Sequence, residues 1–110
     1  MSKPKSFKEQ LQPVQNSIME SDIEKAYCKY AKERGCQTVK FIDPARRGAP
    51  DRLTLLPKGK VLFIEFKAPL GVIEPHQIAY HQSLAAIGFR VHVCDTVREA
   101  CHVLDCLLKI

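Results

Sequence analysis

Residues 48–67 read Gly48-Ala49-Pro50-Asp51-Arg52-Leu53-Thr54-Leu55-Leu56-Pro57-Lys58-Gly59-Lys60-Val61-Leu62-Phe63-Ile64-Glu65-Phe66-Lys67. Two runs rich in branched and aromatic residues, Leu53 to Leu56 and Val61 to Phe66, flank the turn-forming stretch Pro57-Lys58-Gly59-Lys60, which is the pattern of a β-hairpin. Side chains alternate faces along a strand, so Val61, Phe63, Glu65 and Lys67 share one face while Leu62, Ile64 and Phe66 share the other. Both faces begin apolar, as in a strand covered on both sides. A carboxylate and an ammonium then appear on one of them. Unpaired charge is costly to bury, so Glu65 and Lys67 must pair with something or hold a ligand.

Asp51 opens the first strand, after Gly48 and Pro50. With Lys58 and Gly59 as the turn centre, Asp51 falls opposite Phe66 and within one register step of Glu65. Two carboxylates so close repel, and one pKa rises unless a cation sits between them. Hard oxygen ligands with an open coordination sphere suit Mg²⁺ or Mn²⁺. A lysine beside such an ion can orient a water or offset charge on a phosphoryl oxygen.

Outward from the hairpin, Ile23, Ala26, Tyr27, Tyr30 and Ala31 recur at helical spacing from Ser21, with Gly35 as the stop. Glu24 borders that stripe. It also completes a Ser21-x-x-Glu24 capping box, so a structural and a functional role are both open. Cys36 to Ile42 reads as a first strand ending at the turn signal Asp43-Pro44. The loop that follows sets Arg46 and Arg47 just before Pro50-Asp51, and the planar fork of arginine matches phosphate oxygens. Arg52, inside the first hairpin strand, could pair with Asp51 or Glu65, and its role is open.

Beyond Lys67, Pro75 sits at a plausible first helical position, and Gln77, Tyr80, Leu84 and Ile87 form a stripe headed by a polar residue that needs a partner. Phe89 to Cys94 alternates as a half-buried strand. Thr96 with Glu99 then caps a closing helix carrying Val97, Ala100, Cys101, Leu104 and Leu108. The expected order is αβββαβα, an α/β fold with a mixed central sheet flanked by helices, the second helix being the crossover.

The 110-residue length fits one domain, read as a basic N-terminal arm over 1–19 and a folded domain over 20–110. A formal net charge of +5 suits a polyanionic partner. No stretch approaches the length of a membrane span, and the lysine-bearing N-terminus lacks an apolar signal core. Five cysteines without a CxxC pair point to reduced thiols in a cytoplasmic protein. Cys94, Cys101, His102 and Cys106 match no familiar zinc spacing.

Pro50-Asp51 followed by Glu65-Phe66-Lys67 resembles the PD-(D/E)XK signature of restriction-endonuclease-like nucleases. The fuller wording, Gly48-Ala49-Pro50-Asp51-Arg52-Leu53, then Ile64-Glu65-Phe66-Lys67-Ala68-Pro69 and a later Pro75-His76-Gln77, resembles the virus-type replication-repair nuclease (VRR-NUC) family. The likeness runs over most of the chain and implies the restriction-endonuclease-like core. It implies that Asp51, Glu65 and the Phe66 carbonyl hold one or two Mg²⁺ or Mn²⁺ ions, with Glu24 completing the shell. Lys67 would align the attacking water and Gln77 would orient the lysine or the phosphate. The expected activity is metal-dependent DNA endonuclease cleavage leaving a 5′-phosphate, in a bacterial or phage-infected cell. Stand-alone relatives suggest branched DNA, above all four-way (Holliday) junctions. The near two-fold symmetry of a junction calls for two active sites, most simply in a homodimer. The alternatives are a flap or duplex-end nuclease and a non-catalytic DNA-binding module.

Overall fold

The computed structural model describes residues 19–110, so the expected N-terminal arm, apart from Met19, lies outside the described residues. Helix α1 spans Glu20–Glu33, followed by strands β1 (Gln37–Lys40), β2 (Arg52–Leu55) and β3 (Val61–Phe66), helix α2 (Pro75–Ala86), strand β4 (Val91–Cys94) and helix α3 (Val97–Leu108). This is the expected αβββαβα order. The strands stand in the order β1-β2-β3-β4, antiparallel except for the parallel β3–β4 pair that α2 bridges.

α1 starts one residue before Ser21. The Met19 N–H donates to Asp22 Oδ2 at 3.2 Å, so Asp22 does the work expected of the Ser21–Glu24 box and leaves the Glu24 side chain for other contacts. The α3 cap forms as read, with Thr96 Oγ1 accepting from the Glu99 N–H at 3.0 Å. Both outer strands are shorter than the alternation suggested.

The hairpin register differs by one residue from expectation. A 3₁₀ turn takes in Pro57–Gly59, with Lys58 in the left-handed region, and the Leu56 N–H donates to the Lys60 carbonyl at 2.8 Å. The loop thus has three residues instead of two, and Arg52 faces Ile64, not Glu65. A one-residue slip exchanges faces. Arg52 therefore lies on the face of the sheet covered by α1, and of the options left open for it, pairing with Asp51 or Glu65 is not the one the fold takes.

α1 and α3 cover one face. Leu62, Ile64, Phe66 and Cys94 pack there against Ile23, Tyr27, Ala31, Ala100 and Leu104. Tyr27 and Thr54 bring the polar groups of this core together, with their hydroxyls 2.5 Å apart, and burial pushes the Tyr27 phenol up. On the opposite face Phe63 meets Phe41 and Phe89 at ring separations of 5.3 and 5.5 Å, and Phe41 meets Tyr80. α2 covers this side only in part. Of its expected stripe Tyr80 is buried, Gln77 and Leu84 are half-buried, and Ile87 lies beyond the helix end, 69% exposed. The apolar stripe here overstated burial because the helix roofs one end of the sheet only.

Candidate active site

The hairpin delivers its charged residues to the end of the sheet where β2 begins and β3 stops. Asp51 lies just outside β2, and its Oδ2 accepts the Phe66 N–H at 2.7 Å. That bond ties the aspartate across the mouth of the hairpin to the residue after Glu65. Glu65 is the last inward position of β3 on the partly covered face, and it is 2% exposed.

A single glutamine joins Glu65 to Lys67. Gln77 Nε2 donates to Glu65 Oε2 at 2.9 Å, and Gln77 Oε1 accepts from Lys67 Nζ and from the Glu74 N–H, also at 2.9 Å. Lys67 Nζ lies 3.7 Å from Glu65 Oε2. The polar head of the α2 stripe thus finds its partners in the two charged residues that broke the strand pattern. Bonding both ends of the amide fixes its orientation and, through it, the lysine.

Electrostatics single out Glu65. Burial first, then the charge of Asp51, raise its pKa to about 7, with Glu20 adding to the rise while Lys67 and Gln77 oppose it. Asp51 is also raised, chiefly by burial and then by Glu24 and Glu20, against the pull of the Phe66 bond. Glu65 Oε1 is buried and has no hydrogen-bond partner among the described residues. An anionic oxygen so placed is costly unless something positive completes it.

Glu24 faces the sheet as expected, but Arg52 Nε lies 2.6 Å from its Oε2 and Lys40 Nζ 3.8 Å away. It is drawn into an ion pair on the helix side. Glu20, one turn earlier on α1, is the carboxylate that was not singled out. Its charge reaches both Asp51 and Glu65. Acidic residues in a first helical turn ordinarily complement the helix dipole, and Glu20 is exposed. The one available signal was its i, i+4 spacing from Glu24 on a helix leading to this sheet end.

The arginine loop docks on α2. Asp43 accepts from the Tyr80 hydroxyl at 2.7 Å and from the Ala45 N–H at 2.9 Å. Arg46 donates to Ser83 Oγ at 3.1 Å and lies over the Tyr80 ring. Arg47 is exposed and has no ion-pair partner among the described residues. Gly48, at φ +98°, sits so near α2 that a Cβ would fall 2.2 Å from the His76 carbonyl oxygen. Only glycine fits there.

Among the described residues no three acidic, histidine or cysteine side chains stand ready-gathered around an ion. Two carboxylates nevertheless meet the chemistry of Mg²⁺ or Mn²⁺, which keep several waters and take one or two carboxylates with substrate phosphates. The unpaired Glu65 Oε1 is the observation that favours a cation here.

The family model of the VRR-NUC domain matches residues 5–98. The chain belongs to the VRR-NUC family. A solved VRR-NUC domain superposes with a TM-score of 0.72 at 26% identity, covering 78% of this chain and 94% of that one. The phage protein named "Putative nuclease p44", from Acyrthosiphon pisum secondary endosymbiont phage 1, is 43% identical over 79 residues, 72% of this chain and 85% of its own length. This VRR-NUC chain therefore carries a nuclease-family domain. No helix among its described residues is long and apolar enough to cross a membrane.

Proposed function

We infer that the protein is a divalent-metal-dependent DNA endonuclease selective for branched DNA, resolving four-way junctions as a homodimer. The observation that carries the metal-dependent hydrolysis is the buried Glu65, with one oxygen unpartnered and the other linked through Gln77 to Lys67. Asp51, Glu65 and the Phe66 carbonyl would hold Mg²⁺ or Mn²⁺, with Glu20 and Glu24 the nearby carboxylates of α1. The ion, when bound, would neutralise phosphate charge and lower the pKa of a water.

The residues themselves do the rest. Gln77 holds Lys67 against the site, and the remaining two protons of the ammonium are free to donate to a phosphate oxygen or to orient the attacking water. Asp51, with one oxygen tied to the Phe66 N–H, would use its second oxygen for the ion. Arg46 and Arg47 supply cationic contacts for the DNA backbone, which position without reading sequence. Half-exposed Val39, Leu55, Val61 and Phe89, on the sheet face that α2 leaves open, offer a second copy an apolar surface to cover.

The test is cleavage of equal concentrations of four-way junction, 5′-flap and linear duplex with Mg²⁺, Mn²⁺ or EDTA, beside Glu65→Ala. Paired metal-dependent cuts in the junction, lost in the variant and accompanied by a dimeric mass in solution, are expected. Turnover by Glu65→Ala at the normal rate would sink the site. A strictly monomeric mass, free and on junction DNA, would remove the dimer.

A further inference from the structure

The loop that leaves the site carries a residue whose placement the catalytic roles do not use. Leu70, three residues after Lys67, has φ +69° and is 86% exposed. The left-handed region is unfavourable for an L-residue with a Cβ, and an exposed leucine forgoes burial. Both disadvantages fall on one side chain beside the catalytic lysine.

The turn holds that side chain out. The Gly71 N–H donates to the Ala68 carbonyl at 2.8 Å, closing a turn across Pro69 and Leu70, and Pro69 fixes its own φ. Behind the turn, a Cβ on Gly71 would lie 2.8 Å from the Ala68 oxygen and 3.5 Å from Lys67 Cβ. The turn thus passes close to the stem of Lys67. Nearby, Val72 is 73% exposed, and Ile42, at the exit of β1 towards the same end of the sheet, is 74% exposed. An apolar rim borders the end of the sheet that holds Glu65 and Lys67.

We propose that Leu70 is a wedge that packs on the open face of an unstacked nucleobase beside the scissile phosphate, and so favours branched over linear DNA. The proposal rests on the nuclease reading above. Leu70 follows Lys67 by three residues, so their backbones lie within about 11 Å of each other, with the lysine stem added to reach a phosphate at Nζ, and bases in a strand stack about 3.4 Å apart. The tip therefore falls within a few base steps of the cut. Arginine and lysine suit the backbone, whereas an apolar tip suits a base face. In continuous duplex every such face is covered, and insertion must first unstack a step. At a branch point the pairs at the crossover lose continuous backbone on one side and open more readily than a step inside a duplex, so the same packing forms at lower cost once the junction opens. Selectivity for shape follows without any reading of sequence.

The experiment compares wild type with Leu70→Gly, Leu70→Asn and Leu70→Met. Glycine and asparagine suit the left-handed turn but lack the apolar tip, whereas methionine restores it. The preference for four-way junction over linear duplex should fall by about tenfold or more in the first two, the scale expected when one apolar group is taken away from its binding surface. Duplex cleavage should stay unchanged, and Leu70→Met should recover the preference. In a Glu65→Gln background, 2-aminopurine placed beside the cut site should brighten on binding and fail to brighten with Leu70→Gly. Equal junction-to-duplex ratios in Leu70→Gly and wild type, or identical fluorescence, would overturn the wedge. The fluorescence arm needs no cleavage, so a protein that binds junctions without cutting them would refute the nuclease reading while the wedge was still decided. A protein that binds no DNA would refute both.

Discussion

The two faces of β3 differ in what they bury. Towards α1 and α3, Leu62, Ile64 and Phe66 are at most 2% exposed among apolar neighbours, and the adjoining polar pair Tyr27–Thr54 satisfies itself. On the other face Val61 and Phe63 are followed by Glu65, equally buried but with an oxygen that has no partner among the described residues. Alternate residues of one six-residue strand thus close a core or lie on the face that ends at Glu65. Stability and chemistry occupy alternate positions, and each should be removable without the other.

The sharpest separation comes from Glu65→Ala. Loss of a group aimed at developing charge costs about 10²–10³ in rate, so cleavage of junction DNA should fall at least that far while binding measured by gel shift persists. On the opposite face, Leu104→Ala removes a side chain with no exposure and should cost about 2–5 kcal/mol, read as an earlier urea midpoint. Its folded fraction should cut at the wild-type rate. Equal loss of activity per folded molecule would break the comparison.

A pH series tests the same contrast at smaller amplitude. Folded Glu65 keeps its proton up to about pH 7, whereas the unfolded chain releases it near the ordinary glutamate value. The folded state therefore binds more protons in that interval, and the stability is present at low pH and lost as pH rises through about 7. Asp51 is shifted in the same direction. In EDTA, the wild-type melting temperature relative to that of Glu65→Gln should be lower at pH 8 than at pH 5, and Mg²⁺ should reduce the difference by stabilising the ionised site. The smallest effect belongs to the closed face: Tyr27→Phe leaves Thr54 Oγ1 without its bond and should cost about 1–2 kcal/mol, seen in thermal melts, with no change in metal response. A flat pH difference would show that burial of Glu65 carries no electrostatic penalty.

Much of this arrangement was legible before any coordinates. Glycine and proline punctuation marked the hairpin and both helix stops, and Glu65 was conspicuous because it interrupts an otherwise apolar strand. Gln77 was conspicuous for the same reason on a helix. What escaped was geometry set by a single backbone step. Including Pro57 in the turn moved the register by one, which sent Arg52 to the helix face and into the ion pair with Glu24. Glu20 escaped because a first-turn acid has an ordinary explanation. Ile87 misled because helical periodicity shows which residues share a face but not how far the neighbouring sheet extends.

The way the site is stitched together also orders its assembly in time. Asp51, Glu65 and Lys67 lie on one hairpin, whose pairings are short in sequence, and such pairings form early. Gln77 arrives only with the crossover helix, and β4 must then pair in parallel with β3, a step of longer loop closure. During synthesis the hairpin emerges first. A nascent chain would therefore present the acidic pair before the glutamine that steadies the lysine, and the molecule would acquire an ordered active centre only as its last strand docks.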